Sequence, residues 1–299
     1  MAIFKNTIID DTSHLILPNG TTAQRPSSPQ AGYIRYNNST LAIEGYFSST
    51  GWSDIKKRAN DGSSQSLAAD SAQSIKLLTG TTTSGYYWIK VNEVATQIYC
   101  DMTGSDAWML ALRSAKTDYT VFNYNSNYWT NSTSLNSAGD PLTDINIKNN
   151  QVWLINFTTI RLTGSGMANA YTSNPISFSG FNTTLVNLFG GTANQPFPAA
   201  GLGRTGWINW SNAVSGTSTS YWDNQPNCNR EGINVNGVYH YARIGITFNN
   251  EADCNTNDSG VGFGIVYAAS GTTYAQTGAG STTWSTTAAY PCHGWLWIK

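Results

Sequence analysis

The sequence predicts an α+β chain that is mostly β: a small extended β segment at the N-terminus, then one larger globular domain. Three observations predict it. Residues that suit a pleated, half-buried surface are abundant, with 11 Trp and 16 Tyr among 299 residues. Punctuation is dense, because 28 Gly and many Asn, Ser and Thr break the apolar residues into short runs. Charge is scarce, at 11% of residues and a net −1, against about 25% in typical domains. The water-facing groups are therefore mostly uncharged, as in turn-rich extracellular or virion proteins. No basic surplus exists to neutralise phosphates, which argues against nucleic acid and anionic membranes as partners. No run approaches the ~18 apolar residues of a membrane helix, and MAIFKNTIIDD lacks the apolar core of a secretory signal. A particle released by lysis reconciles the composition with that start, as does prior removal of a signal.

Residues 1–60 are expected to be an extended, strand-poor attachment piece. Ile8-Ile9 and Leu15-Ile16-Leu17 are short apolar runs, and Pro18-Asn19-Gly20 makes a turn. Arg25-Pro26-Ser27-Ser28-Pro29 is a proline-stiffened connector. Strand-like runs follow at Tyr33–Tyr36, Leu41–Phe47 and Gly51–Ile55. A piece of this size buries little apolar surface by itself. Ile16, Ile34, Ile43, Phe47 and Trp52 are therefore expected to pack on copies of the chain or on a larger assembly. The Lys56-Lys57-Arg58 triplet reads as a solvated strand end. Asn60–Ser66, rich in Gly, Ser, Asn and Asp, has a linker composition, so residues 61–70 read as a linker and 71–299 as the main domain.

Ala68, Ala69, Ala72, Ile75, Leu77 and Leu78 recur at helical spacing and predict one short helix over Leu67–Leu78. Strand patterning dominates after it: Tyr86–Val91, Thr96–Asp101, Trp108–Leu112, Val152–Leu162, Tyr241–Phe248, Gly262–Ala268 and Trp295–Ile298. The long middle is expected to be loops.

Two strings carry resemblances. LPNGTTAQRPSSPQAGYIRYNNSTLAIEGYFSSTGWSDI, Leu15 to Ile55, resembles a recurring segment of phage tail-fibre and other virion proteins. That resemblance implies a virion location, with assembly in the host cytoplasm and exposure on the particle. It also implies a homotrimer that meets other virion proteins through residues 1–60, and it carries no chemistry. From Ala72 to Lys299 the chain resembles the fibrinogen C-terminal-like fold and its intelectin-like relatives. SGYYWIK, EVATQIYCDM and AWMLALR carry this, then YHYARIGITFNNEADCNTNDSGVGFGIVYA and the closing GWLWIK. It implies a compact α+β domain that recognises sugars or acetylated ligands, often with calcium. The chain departs from the pattern near Leu67, where a cysteine partner for Cys100 is missing. Ser105-Asp106-Ala107 stands in place of the usual glycine pair, and the Asp-rich calcium loop of animal members is not recognisable.

The residues themselves offer two clusters. Calcium takes six to eight oxygens from carboxylates, carbonyls and Asn side chains. Glu251, Asp253 and Asp258, with Asn250 and Asn255, place such oxygens in one loop of a chain that has only 17 acids. The competing reading is a polar turn whose Asn residues bond their own backbone. Trp222, Asp223, Asn224, Arg230, Tyr239 and His240 combine aromatic faces with polar groups, as sugar sites do; the competing reading is packing. Cys228 and Cys254 flank this region as a candidate disulfide in an oxidising compartment, or as buried free thiols. With no CxxC pair, zinc is not expected.

Catalysis is not expected. His14, His240 and His293 are far apart in sequence and unpaired. Gly164-Ser165-Gly166 lacks the G-x-S-x-G spacing. Gly201-Leu202-Gly203-Arg204-Thr205-Gly206 matches a phosphate-loop pattern in letters but sits outside a βαβ context. The expected function is a phage fibre or adhesin protein, homotrimeric, binding a host cell-surface glycan through its C-terminal domain. The alternatives are a virion decoration or spacer protein without a ligand, or a secreted bacterial lectin.

Overall fold

Strands need partners for their edges and cover for their apolar faces, and three sheets answer that need in different ways. The computed structural model describes residues 16–55, 60–166, 171–215, 225–269, 272–277, 281–284, 288–290 and 292–299; the side chains of 215 and 267–290 lie outside that description. The chain divides into two units, residues 1–59 and 60–299.

In the first unit, β1 (Asn19–Gly20), β2 (Ile34–Asn37), β3 (Ala42–Phe47) and β4 (Gly51–Asp54) form one sheet in chain order. The expected extended piece is thus a folded sheet, because the short turns at 38–41 and 48–50 bring β2, β3 and β4 together as an antiparallel meander. Register assigns the faces. Arg35 stands opposite Glu44, and Glu44 opposite Asp54, so these share one face with Asn37 and Trp52. Ile34, Tyr36, Ile43 and Phe47 share the other. Phe47 and Ile55 lean over Gly45 on that second face, within 3.3 Å of where a Cβ would stand.

In the second unit, residues 61–70 are part of the fold and not a free linker. The Trp88 N–H donates to the Gly62 carbonyl at 2.9 Å, Ala69 bridges to Ile89, and Leu67, Ala68 and Ala69 are buried. Helix α1 (Ala72–Thr79) starts later than the apolar spacing suggested. Ser71 is the reason: it is extended, and its hydroxyl accepts from the Ser74 N–H at 3.0 Å, capping the helix there.

The strands β5 (Gly85–Val91), β6 (Val94–Asp101), β7 (Trp108–Ser114), β8 (Ile147–Lys148), β9 (Phe157–Ser165), β10 (Ile176–Thr183) and the last strand, β18 (His293–Ile298), form a seven-stranded sheet. The chain terminus sits in its centre: β18 is antiparallel to β7 on one side and β9 on the other. Both faces are covered. Leu296 and Ile298 join the main core, while Trp295 and Trp297 join Trp108, Leu110 and Ile147 in a second cluster.

The third sheet contains β11 (Cys228–Asn236), β12 (His240–Asn249), β13 (Ser259–Phe263), β14 (Ile265–Ala269), β15 (Thr272–Thr277), β16 (Ser281–Trp284) and β17 (Ala288–Tyr290). The single run read at 262–268 is two strands, broken at Gly264, whose φ of +63° ends β13.

The middle also differs from expectation. It holds β10, α2 (Leu185–Gly190) and α3 (Gly203–Ser215). α3 buries Trp207 and Trp210, and the Phe178 and Phe197 rings stack at 3.9 Å beside Trp207.

Candidate functional site

The loop between β12 and β13 carries the acids singled out from sequence. A disulfide joins Cys228 at the start of β11 to Cys254 in this loop, Cα to Cα 5.2 Å. Cys100 and Cys292 are buried thiols outside that disulfide, and burial pushes both thiols up. Asp253 is exposed and serves its own loop: Oδ1 accepts from the Asn255 N–H at 2.9 Å and Oδ2 from the Thr256 hydroxyl at 3.1 Å. These bonds, that from the Asn255 N–H foremost, hold its carboxyl below the usual range. The Asn250 carbonyl accepts from the Asn227 amide, and the Asn255 carbonyl from the Val238 N–H at 2.5 Å. Glu251 is exposed, and the Asp258 N–H donates to the Phe248 carbonyl at 2.8 Å. Among the described residues, no group of three His, Cys, Asp or Glu side chains is placed to hold a metal ion. As folded, the loop is ordered by its own hydrogen bonds and the disulfide.

The residue that organises this region is Asn257, which nothing in its spacing sets apart from its Asn neighbours. It is buried; its Oδ1 accepts from the backbone of Tyr239 and His240, and its amide donates back to the His240 carbonyl. Gly237 must be a glycine here, since a Cβ would lie 2.3 Å from the Asn257 amide.

The sugar candidates separate. His240 is 1% exposed, and its Nδ1 donates to the Asn257 carbonyl at 3.0 Å. Burial lowers its pKa to about 4, so the ring is neutral and turned inward, out of reach of a surface ligand. Arg230 is half-buried and donates to the Asn236 carbonyl at 2.9 Å. Val238 and Tyr239 are exposed at the β11–β12 turn. Tyr241 packs at a tilt of 44° against Tyr124, centroids 5.2 Å apart, and the Arg243 guanidinium lies 4.3 Å over Tyr124. Trp222, Asp223 and Asn224 lie outside the described residues.

His293, read as unpaired, is paired. Its Nδ1 lies 3.1 Å from Asp144 Oδ1, which also receives Arg113 Nη2 at 3.3 Å. Burial would raise the Asp144 pKa, but the Thr117 hydroxyl and the N–H groups of Lys116 and Thr117 outweigh it and bring it to about 2. The glycine-rich letters at 201–206 open α3. The Gly203 N–H and the Trp207 indole both donate to Glu231 Oε2, at 3.1 and 2.8 Å. A side-chain carboxylate thus occupies the helix N-terminus where a phosphate loop would hold its ligand.

The first unit has a polar site of its own. Arg25 grips Glu44 through Nε at 3.2 Å and Nη2 at 2.5 Å. Asn37 donates to the same carboxylate at 3.0 Å, and Arg35 Nε stands 3.5 Å from it. Arg25 also lies over the Trp52 ring at 5.8 Å. The letters T, Q, R, R, N, E and W that mark Leu15–Ile55 are largely this one bonded cluster, with Thr22 bonded to Asn37 and Gln24 to Thr21.

No family model matches the chain, and no curated protein matches it.

Proposed function

We propose that the protein is a virion fibre-type structural protein that associates as a homotrimer through residues 1–60 and touches host-surface glycan through its C-terminal unit. The observation that carries the reading is the second face of the N-terminal sheet. Ile34, Ile43, Phe47 and Ile55 are 48%, 43%, 45% and 43% exposed, on a sheet whose other face holds an ion cluster instead of an apolar core. Four bare apolar side chains on one small face mark an interaction surface. Copies of the chain are the occupant that this reading assigns. The exposed Tyr239 and Val238, with the Tyr241–Tyr124–Arg243 cluster, supply the aromatic and polar groups that a pyranose ring uses.

Sedimentation of the full chain tests the assembly. The expected mass is three times 32.4 kDa, and Ile43→Glu is expected to give monomers. A monomeric native chain at micromolar concentration overturns this reading. Binding to host cells tests the second half, with Tyr239→Ala expected to weaken it and an EDTA arm reporting any role of calcium. Binding that is absent altogether favours a spacer or decoration role, a reading that the self-bonded Asp253 supports.

A further inference from the structure

We propose that the N-terminal sheets of neighbouring copies join edge to edge, the apolar ridge at the β4 edge of one copy seated in the hollow at the β1 edge of the next. Both features lie on the exposed apolar face. The hollow is an open depression of about 470 Å³ lined by Leu17, Asn19, Tyr36, Asn38 and Ile43. Register builds it, with Asn19 beside Tyr36 and Tyr36 opposite Ile43. The ridge is Phe47 with Ile55. Both lean over Gly45, within 3.3 Å of where a Cβ would stand, and they remain 45% and 43% exposed.

Charge and position together make a second copy the occupant. Among the described residues of this unit, the charged side chains keep to the other face. Arg25 and Arg35 meet Glu44 there, and Asp54 stands opposite Glu44. A charged partner laid on the apolar face loses water and finds no counter-ion. A copy brings an equally uncharged surface. The sheet runs β1-β2-β3-β4, so the hollow and the ridge lie at its two ends, about 14 Å apart across three strand spacings. One chain therefore cannot fill its own hollow with its own ridge, and open sheet edges are surfaces that folded proteins cover.

The contact joins two different patches, so it is heterologous, and a heterologous contact that closes makes a ring. Three sheets joined this way enclose a triangle with their apolar faces inward and their ion clusters outward. The inference rests on the trimer reading and adds which surfaces meet.

Cysteine pairs in the full chain test it, since the native cysteines are buried or bridged. The chain carrying both Leu17→Cys and Phe47→Cys, oxidised with diamide, is expected to give covalent dimers and trimers on a non-reducing denaturing gel. Neither single variant is expected to give any. A ladder from Phe47→Cys alone means that ridge meets ridge, and a ladder that runs past trimers means an open filament; each overturns the proposal. No ladder from a double variant that sediments at three times 32.4 kDa overturns this contact and leaves the trimer reading standing. A native chain that sediments as a monomer overturns both. Should the double variant not assemble, the native chain decides: in a mixture of isotope-labelled and unlabelled copies, intermolecular NOEs between the Phe47 ring and the Leu17 methyl groups are expected, and a trimer without them overturns the proposal.

Discussion

Asn257 holds His240 at both ends of one residue: its Oδ1 accepts from the His240 N–H at 2.8 Å and its amide donates to the His240 carbonyl at 2.7 Å. The side chain acts as a one-residue strand partner where β12 begins. It ties the loop after β12 to the turn before it.

Replacing Asn257 therefore carries a cost. Asn257→Ala leaves the buried His240 N–H without its partner, while the His240 carbonyl keeps the Gly237 N–H at 3.2 Å. A loss of about 2 kcal/mol is expected, at about 1–3 kcal/mol per orphaned group. Denaturant unfolding of the full chain checks it. A change below about 0.5 kcal/mol would show that water takes over the bonds.

Reduction should act on the same region. The Cys228–Cys254 bridge spans 26 residues of sequence, and a loop of that length is worth about 3 kcal/mol in the chain-entropy account. For a unit of this size that is roughly 6–12 °C in melting temperature. Calorimetry of Cys228→Ser with Cys254→Ser checks it; an unchanged melting curve would be inconsistent with the bridge.

Lys148 gives the C-terminal unit an alkaline signature. It is fully buried, donates to the Asn131 carbonyl at 2.6 Å, and lies 4.7 Å over the Trp153 ring. Burial lowers its pKa to about 8. The unfolded chain holds this proton up to about pH 10.4, while the folded one releases it from about pH 8. Stability should thus rise as pH climbs from 8 toward 10.4, by up to about 3 kcal/mol. Lys148→Met is expected to flatten this slope in urea midpoints measured across that range.

Glu44 gives the N-terminal unit the opposite, acid sensitivity. The Arg25 hydrogen bonds hold its carboxyl below the usual range against the cost of burial, and Asn37 adds to them. A depressed carboxylate contributes stability above the unfolded pKa of about 4.3, lost as pH falls through the folded value. Glu44→Gln leaves two guanidinium groups without their shared anion, and a loss of about 3 kcal/mol is expected. Amide cross-peaks of residues 34–54 should vanish in the variant at neutral pH while those of the second unit persist. Intact cross-peaks in Glu44→Gln would show the cluster to be dispensable.

Local pattern determined much by itself. Mostly-β character, the three strand runs of the first unit, the strands at 86–91, 96–101, 108–112 and 241–248, and the unusual oxygen content of 249–258 were all legible. They follow from side-chain alternation and turn residues, which act over a few positions. Only the tertiary structure decided the rest. It placed β18 in the middle of a sheet whose other strands lie more than a hundred residues earlier. It paired His293 with Asp144, and buried His240 rather than offering it to a ligand. It made Asn257 and Glu44 the organising polar residues, although neither differs in type from exposed neighbours such as Asn255 and Glu251. The reason is physical. What an Asn, His or Glu does depends on burial and on which partners arrive from distant strands, and one-dimensional spacing does not encode long-range register.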